Sequence, residues 1–105
     1  MKITTGIALV AMLAAANGAT FAQGSGADTY KAKCQSCHGA DGLASSGAGK
    51  VLKVKPATDP SVKAMSETEM IAAVHNGMGK MQPFKDSLTD AQIKASVEYF
   101  RTFVK

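Results

Sequence analysis

The stretch Cys34-Gln35-Ser36-Cys37-His38 sets the requirements for the rest of this 105-residue chain. Two thiols lie three positions apart, and an imidazole follows the second one directly. This spacing is the attachment signature of a c-type haem, in which both sulfurs form thioether bonds to one porphyrin. His38 is then placed to bind the iron through a ring nitrogen. The motif therefore predicts one haem c, covalently held by Cys34 and Cys37 and ligated by His38.

Three other kinds of site use two cysteines at this spacing. A thioredoxin-like redox pair is expected within a βαβ pattern, which is not visible in this sequence. A structural zinc site needs four nitrogen or sulfur ligands, whereas the motif supplies three, and the other histidine, His75, has no partner cysteine. A disulfide between Cys34 and Cys37 would close a loop too short to stabilise the fold. Haem attachment is the interpretation that uses all three side chains.

The amino-terminal segment is typical of a secretory signal peptide. A short basic start precedes an apolar stretch over residues 3–16 and a small-x-small ending at residues 20–22. We predict cleavage after Ala22, which divides the chain into a signal peptide, residues 1–22, and one domain, residues 23–105. An uncleaved anchor is the alternative, but no apolar run reaches the roughly 20 residues of a membrane span. The sequence thus predicts export, with the bacterial periplasm as the destination.

Capping signals predict where the first two helices of this domain begin. Ser25 is placed to cap a helix that runs through Tyr30 to the haem motif. Ser66 and Glu69 have the spacing of a capping box and open a second helix, which we expect to end at Gly77. The first helix would place Gly26, Tyr30 and Cys34 along one face, and the second would carry an apolar side.

The last helix has the clearest pattern. Thr89 and Gln92 form another capping box. The apolar residues that follow recur at helical spacing: Ile93, Val97, Phe100 and Val104, with Tyr99 and Phe103 beside them. We expect this helix to pack on the first helix, at Gly26 and Tyr30, and on the haem. The glycine-rich stretch at residues 39–60 predicts a loop without a regular element.

The loop and the second histidine raise two further expectations. A carbonyl within residues 39–60, just before Pro56 or Pro60, is expected to accept a hydrogen bond from the second ring N–H of His38. His75 is an alternative iron ligand in principle. Its place in the last turn of the second helix is more typical of a surface residue near the negative end of the helix dipole.

An iron held by His38 needs a ligand on its opposite face, and a methionine sulfur is a suitable soft donor. Met78 and Met81 both lie in a glycine-containing loop that is free to wrap around the haem. Pro83 and Phe84 would stiffen and shield the loop just after Met81. This context favours Met81 as the distal ligand and leaves Met78 as the alternative, since methionine also fills gaps in cores.

The charge balance points to a kind of partner. Without Lys2, 11 basic residues stand against 8 acidic ones, a net charge of +3. Seven lysines flank the segments predicted to surround the haem: Lys31, Lys33, Lys50, Lys53, Lys55, Lys80 and Lys85. Such a rim would steer an acidic redox partner at low salt, although lysines also simply solvate a small protein. Haem attachment and export point away from nucleic acid as a partner.

With these motifs in place, the chain from residue 23 onwards resembles a small class I cytochrome c of the single-haem periplasmic kind. The resemblance rests on Gly26 and Tyr30 before the haem motif, on Gly77-x-Gly79-Lys80-Met81, and on the helix entry Leu88-Thr89-Asp90-Ala91-Gln92-Ile93. It implies an all-α fold, the cytochrome c fold, with about three to four helices and loops wrapped around one haem. In this family proline usually follows the ligand methionine directly, whereas Gln82 intervenes here.

The predicted function follows from an iron whose coordination positions are all filled. The resemblance implies an electron shuttle, and a His38/Met81 pair supports this role because it leaves no open coordination position. Together with the predicted export, we expect a soluble, monomeric periplasmic protein that shuttles single electrons between redox protein partners. The alternative is a haem-based gas-binding or sensing protein in which the methionine ligand is labile or absent. No acid–base pair or nucleophile arrangement in the sequence indicates an enzyme.

Overall fold

A computed structural model describes residues 25–105, so the predicted signal peptide lies outside the described residues. The described residues form six helices: α1 Gly26–Lys33, α2 Gln35–His38, α3 Gly47–Val51, α4 Pro60–Lys63, α5 Glu67–Asn76 and α6 Asp90–Arg101. Within residues 25–105 the only β pairing is one isolated antiparallel bridge. The predicted all-α fold is confirmed: α1, α5 and α6 are the three expected helices, and the other three are short segments of four or five residues.

The three longer helices begin where their capping residues predict. Ser25 caps α1 through its side chain. At α5 the Ser66 hydroxyl accepts a hydrogen bond from the Glu69 amide at 3.1 Å, and the Glu69 carboxylate accepts one from the Ser66 amide at 2.8 Å. Thr89 and Gln92 make the same reciprocal pair at α6, at 3.1 and 2.9 Å. These bonds satisfy amides that have no partner within the helix.

Helices α1 and α6 pack together as expected. The backbone of Ala95 lies so close to Gly26 that no side chain would fit there. Tyr30 is 1% exposed, and its ring centroid lies 5.2 Å from that of Tyr99 and 5.9 Å from that of Phe103. A glycine thus permits the close approach, and an aromatic cluster fills the space beside it.

A second cluster joins α5 and α6 at the other end of α6. Phe84, Leu88 and Ile93 are buried together, with three partly buried residues packed against them: Ile71, Val74 and Met81. The segment between the two helices returns along α5, because the amide of Phe84 donates to the Val74 carbonyl at 2.9 Å. This bond satisfies a carbonyl at the end of α5 and fixes the loop that carries Met81.

The prediction that residues 39–60 contain no regular element is wrong, because α3 forms within them. The Ser46 hydroxyl caps α3 by accepting from the Gly49 amide at 3.0 Å. Gly49, read from the sequence as a helix breaker, instead lies against the carbonyl of Cys37, where a side chain would collide. Tertiary contact has overridden local propensity here. The alternating lysines and aliphatic residues at 50–55 form no strand.

Candidate haem-binding site

The three residues of the predicted haem motif lie around one helical turn. Cys34 ends α1, where its amide donates to the Tyr30 carbonyl at 2.8 Å, and α2 then carries Cys37 and His38. The amide of His38 donates back to the Cys34 carbonyl at 3.0 Å. Residues three apart on a helical turn share a side. Both thiols are free and partly buried, so the arrangement suits attachment of one flat group at two points.

The pKa of the Cys34 thiol helps to distinguish a haem-attachment site from a site of disulfide exchange. Burial, followed by the neighbouring Cys37, raises the pKa of the Cys34 thiol to about 11. A redox-active C-x-x-C pair instead depends on a cysteine whose pKa is lowered, because the thiolate is the attacking form. The geometry and the charge environment therefore do not favour the thioredoxin-like alternative.

His38 has the properties of a neutral ligand. Burial lowers the pKa of its imidazole, so the ring stays uncharged at neutral pH. Its centroid lies 5.4 Å from that of Phe100, which packs against it at 65° and limits its rotation. Among residues 25–105, the buried Nδ1 atom has no hydrogen-bond partner. Nδ1 is thus the ring nitrogen for which an acceptor within residues 39–60 was expected.

The expected acceptor for the second ring N–H is not present at either proline. No described residue accepts a hydrogen bond from Nδ1 of His38. The carbonyl of Asp59, before Pro60, is already used, because it accepts from the amides of Val62 and Lys63 at 2.9 Å as α4 begins. The sequence did not reveal that Pro60 starts a helix. Because that helix begins there, the Asp59 carbonyl already accepts hydrogen bonds from its first turn.

The backbone around His38 is held by contacts that the sequence analysis missed. The hydroxyl of Tyr30 donates to the Gly39 carbonyl at 2.6 Å, and burial raises the pKa of this tyrosine, which keeps it a donor. The amide of Ala44 donates to the His38 carbonyl at 2.9 Å. The only sequence signal was the tyrosine itself, since a buried Tyr hydroxyl normally requires a partner.

Met78 and Met81 face each other across a tight turn. Each amide donates to the carbonyl of the other, at 3.1 and 2.9 Å, and Gly79 takes φ 57° between them. Residues opposite each other in such a bridge lie on the same face. They differ in surroundings: Met81 is partly buried against the cluster that contains Phe84, whereas Met78 is 59% exposed.

A cleft lies beside the predicted site, but none of Cys34, Cys37, His38 and Met81 lines it. It has a volume of about 470 Å³ and lies between the end of α1 and the chain that follows Met81. Its lining comprises Ala32 and Lys33 on one side and Gln82, Pro83, Phe84, Asp86 and Ser87 on the other. The cleft therefore shows that the end of α1 lies near the segment after Met81, and it is not itself the haem site. Two free thiols and a neutral, buried imidazole on one helical turn are the donor set that fits a covalently attached haem.

His75 lies elsewhere, at the junction of α5 and α6. Its Nδ1 is 2.8 Å from Oδ1 of Asn76, and its Nε2 is 3.9 Å from Oδ1 of Asp90. Both neighbours are exposed polar residues, and the His75 side chain is itself partly exposed. This position agrees with the surface role expected for His75.

A helical chain that presents C-x-x-C-H between its packed first and last helices has the architecture of a c-type cytochrome. Residues 22–100 match the family model described as cytochrome c oxidase, cbb3-type, subunit III. The solved structure of the KustC0563 c-type cytochrome is similar, with 32% identity, a TM-score of 0.69, and coverage of 77% of this chain and 99% of that one.

A tyrosine-to-phenylalanine variant of the same KustC0563 protein is also similar, at 30% identity and a TM-score of 0.67, with 75% and 98% of the two chains covered. No curated protein sequence matches significantly. The chain belongs to the c-type cytochrome family represented by the cbb3-type subunit III model. Membership implies a covalently bound haem c and a general role in haem-based electron transfer.

Proposed function

We propose that this protein is a periplasmic electron shuttle with one haem c, attached at Cys34 and Cys37 and ligated by His38 and Met81. The observation that carries the proposal is the joint placement of two free thiols and a neutral, packed imidazole on one helical turn. When bound, the haem supplies a one-electron couple, and thioether ligation favours its reduced state.

The residues of the chain have separate tasks in this scheme. The Cys34 and Cys37 thiols hold the group at two points. His38 is kept neutral by burial and is restrained by Phe100, so its lone pair is available without prior loss of a proton. The Tyr30 hydroxyl holds the Gly39 carbonyl and so restrains the chain just after the ligand. Little rearrangement is then needed when the charge changes, which suits electron transfer.

Met81 is proposed as the distal ligand in preference to Met78. Its partly buried side chain packs beside Phe84 and Ile93 at the edge of the core, whereas Met78 is exposed. Burial of a thioether next to the core excludes water from the iron it would ligate and raises the reduction potential. Because the two methionines share a face of one turn, replacement of Met81 is the decisive test.

Export to the periplasm follows from the signal peptide proposed at residues 1–22, which leaves residues 23–105 as the mature protein. None of the helices formed by residues 25–105 has the length and apolarity needed to cross a bilayer. Haem attachment to C-x-x-C-H and secretion are expected in the same compartment. Mass spectrometry of the periplasmic protein should find an amino terminus at Gln23 and the added mass of one haem.

The ligand assignment is tested by absorption spectra of the oxidised and reduced holoprotein and of Met81→Ala and Met78→Ala. We expect a low-spin spectrum with the weak red band of a thioether–Fe(III) bond, lost in Met81→Ala and retained in Met78→Ala. Loss of the band only in Met78→Ala would reverse the assignment. A high-spin wild type that binds carbon monoxide rapidly when reduced would favour the gas-binding alternative instead.

A further inference from the structure

Ser46 joins two short helices through a single hydroxyl group. Its oxygen accepts a hydrogen bond from the Gly49 amide at 3.0 Å and so caps α3. Its proton is donated to the carbonyl of Ser36 in α2, at 2.7 Å. A serine hydroxyl has one proton and two lone pairs, so both bonds form at once. Ser46 therefore connects α3 to the helix that carries Cys37 and His38.

The carbonyl that Ser46 holds belongs to the peptide unit between the two attachment cysteines. Because α2 spans only Gln35–His38, the Ser36 carbonyl lies too near the helix end to have a partner within the helix. The amide of the same peptide unit, at Cys37, donates to the Cys34 carbonyl at 3.2 Å. A peptide unit is planar, so hydrogen bonds at both of its ends fix its tilt. The Ser46 hydroxyl thus restrains Cys37 relative to Cys34.

The next carbonyls of the haem motif are held by a backbone amide and by a tyrosine. The Ala44 amide donates to the His38 carbonyl at 2.9 Å, and the Tyr30 hydroxyl donates to the Gly39 carbonyl at 2.6 Å. Tyr30 thus holds the turn from the helix before the motif, and Ser46 holds it from the segment after the motif. Ser46 is the side chain through which that later segment supports the motif by a hydrogen bond.

Ser66, which caps α5, provides a comparison for Ser46. The Ser66 hydroxyl accepts a hydrogen bond from the Glu69 amide, and the Glu69 carboxylate accepts one from the Ser66 amide, so both bonds stay within one helix start. Among the described helices, α5 contacts α6 and not α2. The cap of α5 therefore stabilises its own helix, whereas the cap of α3 also reaches the haem motif.

We propose that Ser46 is a positioning residue for the haem motif, and that it sets the orientation of Cys37 and His38 through the Ser36 carbonyl. The inference rests on the haem attachment and His38 ligation proposed above, and it deepens them by naming a residue outside the motif that holds the motif in place. A restrained ligand changes its geometry little when the iron changes charge, which favours electron transfer. Ser46 acts through the backbone of α2 and not as a ligand.

Amide hydrogen exchange of the reduced holoprotein tests this role. We expect Ser46→Ala to speed exchange at Cys37 and His38 about tenfold, because the peptide unit between the cysteines has lost one of its two hydrogen bonds. Ser66→Ala is the matched control, since it removes a serine cap from a helix that does not contact α2. It should speed exchange in α5 and leave Cys37 and His38 unchanged. Equal acceleration at Cys37 in both variants would overturn the proposal, because it would trace the effect to overall stability.

Two other substitutions separate the cap made by Ser46 from its bond to Ser36. Ser46→Thr keeps a hydroxyl that can accept and donate, whereas Ser46→Asp keeps an acceptor for the cap but, when ionised, has no proton to donate. We expect Ser46→Thr to retain wild-type exchange at Cys37 and wild-type NMR signals of the His38 ring. Ser46→Asp should show the faster exchange and the shifted ring signals of Ser46→Ala. If Ser46→Asp behaves as Ser46→Thr does, the cap alone accounts for the effect and the proposal is contradicted.

The wild-type protein in the same experiments distinguishes failure of this inference from failure of the proposed function. We expect it to carry the mass of one haem, to show the thioether–Fe(III) band and to be reduced and reoxidised reversibly at an electrode. If it does, wild-type exchange and ring signals in Ser46→Ala contradict the positioning role alone. A wild-type protein without the haem mass, or with a high-spin spectrum, contradicts the proposed attachment and ligation themselves.

Discussion

The segment that follows the haem motif and the turn that carries Met78 and Met81 both begin at a glycine with the same backbone geometry, but they differ in how they are held. Gly39 ends α2 at φ 85° and ψ 158°, and Gly77 ends α5 at φ 84° and ψ 158°. After Gly39 the chain is tied to distant residues, by the Tyr30 hydroxyl and by the amide of Ala57, which donates to Gly42 at 2.8 Å. After Gly77 the turn bonds mainly to itself.

With the haem ligated as proposed, this difference predicts a rigid proximal side at His38 and a softer distal side at Met81. The Met78–Met81 turn holds its own shape, and its link to α5 is made by the following amides of Phe84 and Lys85, which donate to carbonyls at the helix end. Fewer ties between a segment and the rest of the fold mean a lower free energy of local opening. We therefore expect proximal changes to alter global stability and distal changes to alter ligation first.

The largest expected effect is that of Gly49→Ala. A Cβ there would collide with the carbonyls of Cys37 and Ala44, so α3 must move away from the haem motif. We expect a loss of about 3 kcal/mol in the free energy of unfolding, measured with guanidinium on the holoprotein. Gly47→Ala is the matched control in the same helix: its Cβ meets nothing, so a gain of about 0.5 kcal/mol is expected. Equal effects would contradict the close packing of α3 on α2.

A paired substitution of the two helix-ending glycines tests the comparison directly. Gly39→Ala and Gly77→Ala impose the same strain, about 2 kcal/mol each, because only glycine readily adopts this geometry. We expect Gly39→Ala to appear as reduced global stability. Gly77→Ala should instead weaken the red absorption band of the proposed thioether–Fe(III) bond before the protein unfolds. The reason is that the added Cβ would press on the Met81 carbonyl. If both variants lose the absorption band only when the protein unfolds, the segments after Gly39 and Gly77 are equally rigid.

Tyr30→Phe should have a smaller effect. The change removes the shorter of two hydrogen bonds to the Gly39 carbonyl, which keeps the Gly42 amide at 3.3 Å, so we expect a cost of about 1 kcal/mol in the free energy of unfolding. It should also broaden the His38 ring signals in NMR spectra, because the chain beside the ligand is less restrained. Tyr99→Phe is the control, since the Tyr99 hydroxyl makes no hydrogen bond to the described residues. A Tyr30→Phe protein as stable as Tyr99→Phe would show that this bond does not restrain the proximal side.

The smallest effect concerns the capping box of α5. Hydrogen bonds from the Ser66 amide and hydroxyl hold the pKa of Glu69 below its ordinary value. The unfolded chain therefore binds more protons, so this contribution to stability is present at neutral pH and is lost as pH falls through the lowered pKa. Glu69→Gln should flatten the dependence of stability on pH below about 4.5. If the free energy of unfolding of Glu69→Gln falls with decreasing pH as steeply as that of the wild type, the proposed role of this carboxylate is contradicted.

Much of the fold follows from features that act within one helical turn. Ser66 with Glu69, and Thr89 with Gln92, satisfy amides three residues away, so the helices could be located without knowledge of the fold. The haem motif is equally local, because its chemistry depends on three side chains at fixed spacing. The packing of α1 on α6 was also predictable, since a glycine and an aromatic stripe face each other.

The remaining features depend on contacts between segments that lie apart in the chain. Local propensity makes Gly49 a helix breaker, and only its approach to Cys37 makes it necessary to α3. No local signal indicated that Gly39 would accept the Tyr30 hydroxyl, or that the Asp59 carbonyl would be consumed by α4. Spacing along the chain specified the haem chemistry and the helix starts, because these act over a few residues. Tertiary packing decided which carbonyls and which glycines hold the chain around the haem motif, because burial arises only when distant segments meet.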